Sequence, residues 1–206
     1  MDRDTLIYYS QNASEVFERY ESVSGGIADY FIRAFPEPCR ILDIGCGSGR
    51  DLRTLLSLGH DAYGIEPCSE LREKTYEKYP DLKSRITEAG LPDPGYPFGG
   101  GFDAIVCSAV LMHLQKENLP DAVAGLKLLL KHSGRALVSV PYTREGVTEE
   151  RRDDHGRLFS ELSAEELERV FAQSGFRLCE KWINEDSLKR QGFSWVTMLF
   201  GQTSIP

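Results

Sequence analysis

A chain of 206 residues with a formal net charge of −8 is long enough for one well-packed domain and too short for two. The acidic balance, without a basic stripe, argues against a nucleic-acid partner, because binding a phosphate backbone rests on Lys and Arg. No apolar run reaches bilayer-spanning length, Met1-Asp2-Arg3-Asp4 lacks an apolar signal region, and the five cysteines form no Cys-x-x-Cys pair, so a reducing cytoplasm without membrane, zinc or disulfide is expected.

Asn12-Ala13-Ser14-Glu15 has the form of a capping box and predicts a helix with Val16, Phe17, Tyr20 and Val23 at helical spacing. Gly25-Gly26 breaks it. A second helix with Ile27, Tyr30, Phe31 and Ala34 on one face runs to the stop at Pro36-Glu37-Pro38. A helical leader over 1–38 therefore precedes the first strand, in the place where such a segment can lie over the carboxyl ends of a sheet. Tyr8 and Tyr9 would either close over a ligand or anchor the N-terminus.

The organising stretch follows. An apolar run over 39–44 ends in Asp43-Ile44-Gly45-Cys46-Gly47-Ser48-Gly49-Arg50, and a helical pattern carrying Leu52, Leu55, Leu56 and Leu58 runs to Gly59. Strand, glycine turn and helix in that order let a ligand approach the backbone. A second strand over 62–65 ends in Glu66, about twenty residues on, where a carboxylate can accept hydrogen bonds from ribose hydroxyls. Together these point to an adenosine-containing cofactor. A dinucleotide fingerprint needs Gly or Ala where this chain has Arg50, and a long cation there does not suit a closely packed pyrophosphate turn, which disfavours an NAD(P)-dependent oxidoreductase.

Ser69 is placed to cap a helix that Pro80 ends, and a short strand is expected over 84–87. Five glycines and three prolines between Gly90 and Gly101 replace the crossover helix of a doubly wound fold with an irregular loop, either a substrate gate or a shortened connection. Phe102 to Cys107 reads as a buried strand, 119–131 as a helix closed by Gly134, and 135–140 as a strand followed by Pro141-Tyr142. A charged excursion over 143–157 leaves the core. Ser163-Ala164-Glu165-Glu166 is a second capping box, opening a helix that Gly175 ends. Strands over 176–182 and 195–200 close the sheet. The alternation of strands and helices makes this one α/β domain over 1–206.

These residues carry a resemblance over nearly the whole chain. Tyr8-Tyr9 with Asn12-Ala13, the Ile41 to Asp51 turn, Gly64-Ile65-Glu66, Phe102-Asp103-Ala104-Ile105, Leu111-Met112-His113-Leu114, Gly156-Arg157-Leu158-Phe159, Gly175-Phe176 and Trp195-Val196-Thr197-Met198-Leu199 resemble, in this order, the small bacterial-type class I S-adenosylmethionine-dependent methyltransferases, including the tellurite-resistance-like branch. The resemblance implies a Rossmann-like, seven-stranded, mostly parallel sheet with helices on both faces and the last strand antiparallel. S-adenosyl-L-methionine would lie across strands 1, 2 and 4 and leave as S-adenosyl-L-homocysteine. Gly45, Gly47 and Gly49 would cradle its sugar and methionine portions, and Asp43 would orient the loop and hold the amino group. Arg50 would approach the carboxylate, Glu66 the ribose, Pro67 the adenine and Glu88-Ala89 the adenine amine. Ser108 and Ala109 would face the methionyl end, with Tyr8 closing over the cofactor. Glu88 stands where the family commonly has Asp, and Lys131-His132-Ser133-Gly134 where it commonly has Lys-Pro-Gly-Gly.

Methyl transfer from a sulfonium to N, O, S or C is an in-line displacement that needs no covalent nucleophile. A base helps where the acceptor carries a proton. His113, just past the fourth strand, is the candidate base, against a structural histidine; Tyr142 would orient the acceptor or merely pack. His155 and Arg157 would line a pocket for a small-molecule acceptor, whereas Arg151-Arg152-Asp153-Asp154 reads as a solvated face and no metal site is suggested. A non-catalytic cofactor-binding module with the same fold is the remaining alternative.

Overall fold

The computed structural model describes residues 1–143 and 146–203. Its sheet has seven strands: β1 (Arg40–Ile44), β2 (Asp61–Ile65), β3 (Ile86–Thr87), β4 (Phe102–Ser108), β5 (Leu130–Thr143), β6 (Phe176–Glu185) and β7 (Ser194–Gln202), ordered 3-2-1-4-5-7-6. β3, β2, β1, β4 and β5 pair in parallel, and β7 runs antiparallel to both β5 and β6. Continuous apolar runs form the central strands because both sheet faces are covered. On one face α6 (Leu119–Leu129) and α7 (Ala164–Gln173) pack Leu126, Leu129, Leu167 and Phe171 against Leu42, Ile105 and Val138. On the other, α4 (Arg50–Ser57) and the leader's α3 (Phe31–Ala34) pack Leu52, Leu55 and Phe31 against Ile41, Val106, Leu137 and Leu199. The Ser163 hydroxyl accepts the Glu166 N–H, so the second capping box forms as its sequence predicts.

The leader differs from expectation in how it starts. Helix α1 (Arg3–Gln11) precedes the expected one, and Asp2 caps it by accepting the Thr5 N–H at 2.9 Å. The capping box at Asn12 does not form: the Asn12 side-chain amide donates instead to the Tyr8 carbonyl at 2.9 Å, and α2 (Ala13–Ser22) follows directly. Likewise Cys68, not Ser69, occupies the N-cap of α5 (Ser69–Lys78), and the Ser69 hydroxyl donates to Glu70. β5 begins at Leu130, paired with Phe102, and 131–134 fall at a register shift inside the strand rather than in a turn before it. The loop over 90–101 is irregular apart from one 3-10 turn, Pro97–Gly99, and Arg40 pins it through the Phe98 and Gly100 carbonyls. Of the 143–157 excursion, residues 144 and 145 lie outside the described residues.

Polar ties hold the leader over the sheet. Glu21 near the end of α2 accepts from Ser48 of the glycine turn at 2.9 Å, pairs with Arg53 and Lys78, and is met by the Tyr79 hydroxyl. Asp2 takes a two-pronged ion pair from Arg152, and Thr5 accepts the Leu158 N–H. The Arg152 hydrogen bond lowers the Asp2 carboxyl from the usual 3.8 to about 2. Burial alone would raise Asp186, but Arg190 and the Trp195 N–H, 2.8 Å away, bring it to about 2. Both folded values lie below the unfolded ones, so the stabilisation they give is complete above about pH 4 and is lost as pH falls toward about 2. Trp195 fluorescence is expected to report this loss over that range, and Arg190→Ala to move the change to higher pH; a signal flat down to pH 2 would contradict it.

Candidate active site

The carboxyl ends of the strands open into a cavity of about 750 Å³, roofed by the leader and bounded by the 146–162 segment and the β6–β7 hairpin. The turn after β1 forms its floor. Gly45 has φ +66° and a Cβ there would meet Val110 Cγ2 at 2.7 Å; Gly47 has φ +54° and a Cβ would meet the Tyr20 ring at 3.0 Å. Only glycine gives the chain both the left-handed conformation and the close approach. The Gly45 and Cys46 N–H groups both donate to the Ile65 carbonyl, which ties this turn to the end of β2. Gly49 caps α4 with φ +76° beneath the cavity floor.

Two buried carboxylates face the turn. Glu66 accepts the Gly47 N–H at 3.0 Å on one oxygen and the Cys68 N–H at 2.9 Å on the other, leaving lone pairs on both, and burial pushes its carboxyl up. Asp43 is 2 % exposed, and its Oδ2 has no hydrogen-bond partner. Burial pushes Asp43 well up, and neighbouring Asp51 and Glu66 add to this against the pull of Arg50. Arg50 lines the same region, held through its Nε by Asp51 at 2.9 Å. An unpartnered buried carboxylate oxygen calls for a cationic donor.

Ser108 and Ala109 at the end of β4 also line the cavity, and Ala109 turns the chain at φ +57°. His113 follows in a 3-10 turn, Leu111–His113, and is buried. Its Nδ1 lies 2.7 Å from the Leu158 carbonyl; a carbonyl only accepts, so Nδ1 carries the proton and Nε2 is the acceptor. What Nε2 meets, at 3.1 Å, is the hydroxyl of Tyr9, which itself receives the Tyr20 hydroxyl at 3.4 Å and the Arg157 guanidinium at 3.5 Å. The Tyr9 hydroxyl therefore stands with this imidazole at the cavity wall. The stretch over 151–154 is a solvated face only in part: Arg151 and Asp154 are exposed, but Asp153 is not. Asp153 is buried, holds Arg157 through two hydrogen bonds at 2.9 and 2.6 Å, and accepts the His155 and Arg157 N–H groups.

Six expected contacts stand outside the cavity lining, Gly49 beneath the turn among them. Tyr8 packs behind Tyr9 against the His155 ring, centroids 5.0 Å apart. Pro67 packs beside Gly90, and Ala89 packs against the main core. Glu88 is drawn outward into an ion pair with Arg72 at 2.5 Å. Tyr142 falls at the register shift between Pro141 and Thr143 and is turned out, half exposed. The loop over 90–101 contributes no lining residue, whereas the β6–β7 hairpin contributes Asn184, Asp186, Arg190 and Trp195, of which only Trp195 belongs to a stretch the sequence singled out. Among the described residues no group of three or more His, Cys, Asp or Glu could hold a metal, and no helix is long and apolar enough to cross a membrane.

Comparison with known proteins agrees with this geometry. A family model described as a methyltransferase domain matches residues 17–181. A protein named uncharacterized methyltransferase from Alkaliphilus oremlandii is 28% identical over 174 residues, which cover 81% of this chain and 78% of that one. The 1,6-didemethyltoxoflavin-N1-methyltransferase of Burkholderia thailandensis, solved with 1,6-didemethyltoxoflavin and S-adenosylhomocysteine, superposes with a TM-score of 0.77 at 18% identity, covering 97% of this chain and 88% of its own. A TehB-like S-adenosylmethionine-dependent methyltransferase of Corynebacterium glutamicum reaches 0.66 at 20% identity, covering 95% and 98%. These structural likenesses are of fold and do not single out the tellurite-resistance-like branch. With the family model spanning most of its length, the chain belongs to the methyltransferase domain family and has the fold of the class I, S-adenosylmethionine-dependent enzymes.

Proposed function

We propose that the protein transfers a methyl group from S-adenosylmethionine to a proton-bearing atom of a small acceptor held in the same cavity. The observation that carries this reading is Asp43: a buried carboxylate oxygen without a partner, beside a glycine turn and a second buried carboxylate, fits an amino acid's ammonium next to a ribose. When bound, S-adenosylmethionine would supply a methyl group already activated by its sulfonium. Asp43 would take the amino group, Glu66 would accept hydrogen bonds from the ribose hydroxyls with its remaining lone pairs, and Gly45 and Gly47 would let the backbone come close. Arg50, oriented by Asp51, would meet the carboxylate, and Ser108 and Ala109 would hold the methionyl chain. Holding donor and acceptor in line in a roofed cavity contributes about 7–11 kcal/mol toward the barrier.

Tyr9 and His113 handle the proton. The phenolic oxygen of Tyr9 takes the acceptor's proton as its own passes to His113 Nε2, and the Leu158 carbonyl holds Nδ1–H so that Nε2 stays aimed at Tyr9. The enclosing leader supports a small acceptor over a macromolecule.

Calorimetry tests the donor: S-adenosylhomocysteine is expected to bind and NAD not to. Glu66→Gln is expected to weaken S-adenosylhomocysteine by about tenfold, the scale of one lost hydrogen bond to a charged group. An unchanged affinity would remove the ribose assignment, and the absence of methylated product from a metabolite library would leave a binding module instead of an enzyme.

A further inference from the structure

The sheet face beneath the leader changes character at its carboxyl end. Ile41, Val106, Leu137 and Leu199 are buried on this face with Ile27 and Phe31 of the leader, as an apolar layer should be. Two residues along each strand, and so on the same face, stand Asp43, Ser108, Ser139 and Thr197. Ser108 pairs with Ser139 across β4 and β5, and Ser139 with Thr197 across β5 and β7, so the three hydroxyls form one cross-strand row. On β6, Trp182 pairs with Thr197, and Asn184 lies two residues further along.

This row faces the cavity, Ser139 and Thr197 as buried residues and Ser108 half-buried. Ser139 is 5 % exposed and Thr197 1 %, yet no hydrogen bond within the described residues engages the hydroxyl of Ser108, Ser139 or Thr197. Asn184 donates to the Tyr30 hydroxyl at 2.6 Å and leaves its buried Oδ1 without a partner. All four line the cavity, as do Ile27, Met112, Phe159, Phe193 and Trp195. Buried polar groups are satisfied in nearly every folded protein, so the buried, unpartnered Asn184 Oδ1, beside a row of cavity-facing hydroxyls that no protein group engages, marks where a ligand completes the hydrogen bonding.

We propose that this shelf binds the methyl acceptor, and that the acceptor is a planar nitrogen heterocycle with a cyclic-amide edge of alternating C=O and N–H groups. Hydroxyls both donate and accept, so each can meet either group of such an edge. Neighbouring strands set them about 4.8 Å apart, close to the separation of two carbonyl oxygens flanking a ring N–H. The apolar and aromatic walls suit the ring faces, and the shelf runs from the donor end at Asp43 toward Asn184. The inference rests on the donor reading above, since it assigns the rest of the same cavity, with Ser108 at the border between donor and acceptor.

The test uses lumazine and xanthine as probes, and quinoline as a bicycle without the amide edge, on the full chain with and without S-adenosylhomocysteine. Calorimetry is expected to detect lumazine or xanthine on the wild type. Thr197→Val and Ser139→Ala are each expected to weaken that binding about fivefold, the scale of one neutral hydrogen bond, and more in combination. Thr197→Ser, which keeps the hydroxyl, should retain it; quinoline should be unaffected or tighter, and S-adenosylhomocysteine should stay within about twofold in every variant. Failure of both amide-edged probes to bind, or equal binding to the folded double variant, overturns the shelf. If S-adenosylhomocysteine does not bind but lumazine does and responds to Thr197→Val, the shelf stands and the donor reading falls.

Discussion

Tyr9→Phe is expected to lower turnover by about 10²-fold or more while leaving the affinity for S-adenosylhomocysteine within about twofold, the scale of a lost general base. The substitution keeps the ring that packs against His113, centroids 5.8 Å apart, and removes only the hydroxyl between the imidazole and the cavity. His113→Asn is its counterpart: the shorter amide can still donate to the Leu158 carbonyl, as Nδ1 does, but has no basic nitrogen at the Nε2 position. If the two groups act as one relay, each single variant loses about as much kcat as the double, because either breaks the same path. Losses that multiply would show independent roles, and a Tyr9→Phe enzyme with full kcat would leave Tyr9 as packing. The measurement is methylated product per unit time, with the acceptor the library identifies, at saturating concentrations of both substrates, so that a binding defect in KM is kept apart.

Asp43→Asn should separate stability from affinity. The Asp43 carboxyl is raised well above its usual range by burial, so in the unliganded protein its ionisation opposes folding. The sign follows: stability of the unliganded wild type falls as pH rises from the unfolded value through the raised folded one, and stays lower above it. Asparagine removes that dependence, and the unliganded variant is expected to melt several degrees higher near neutral pH. Its affinity for S-adenosylhomocysteine is expected to drop about 10–100-fold, because a charge-assisted bond to an ammonium is lost. In the wild type, binding should release protons wherever the raised Asp43 carboxyl is still protonated, visible as a buffer-dependent calorimetric heat. A variant that loses both stability and affinity would make Asp43 a structural residue of the turn.

The donor end was legible in the chain because its signals are local. Glycine at 45 and 47 answers to backbone conformation and close approach within a few residues, and Glu66 reaches the turn because β1 and β2 pair in register, Ile44 against Ile65. Apolar period and capping placed β1, α4 and α7 for the same reason. Where two local solutions competed, sequence pattern misled. Asn12 has the form of a cap, but with α1 already helical its amide is better used on the Tyr8 carbonyl. Glu88 is an acidic side chain at the end of β3 with Arg72 within reach, and the ion pair carries it away from the cavity.

The acceptor end was not legible, because it is made by pairing between distant segments. Tyr9 and His113 are 104 residues apart and meet only when α1 is drawn over the sheet by Asp2, Thr5 and Glu21. Ser108, Ser139 and Thr197 are unremarkable singly, and become a row only through the register of β4, β5 and β7. By itself the sequence determined the α/β class, the glycine turn and the position of the two carboxylates proposed to hold the donor, since each depends on contacts within one strand–turn–helix unit or between adjoining strands. Tertiary structure alone decided which tyrosine reaches His113, which carboxylate is left unpartnered and which hydroxyls line the cavity, because burial and register are properties of the assembled sheet.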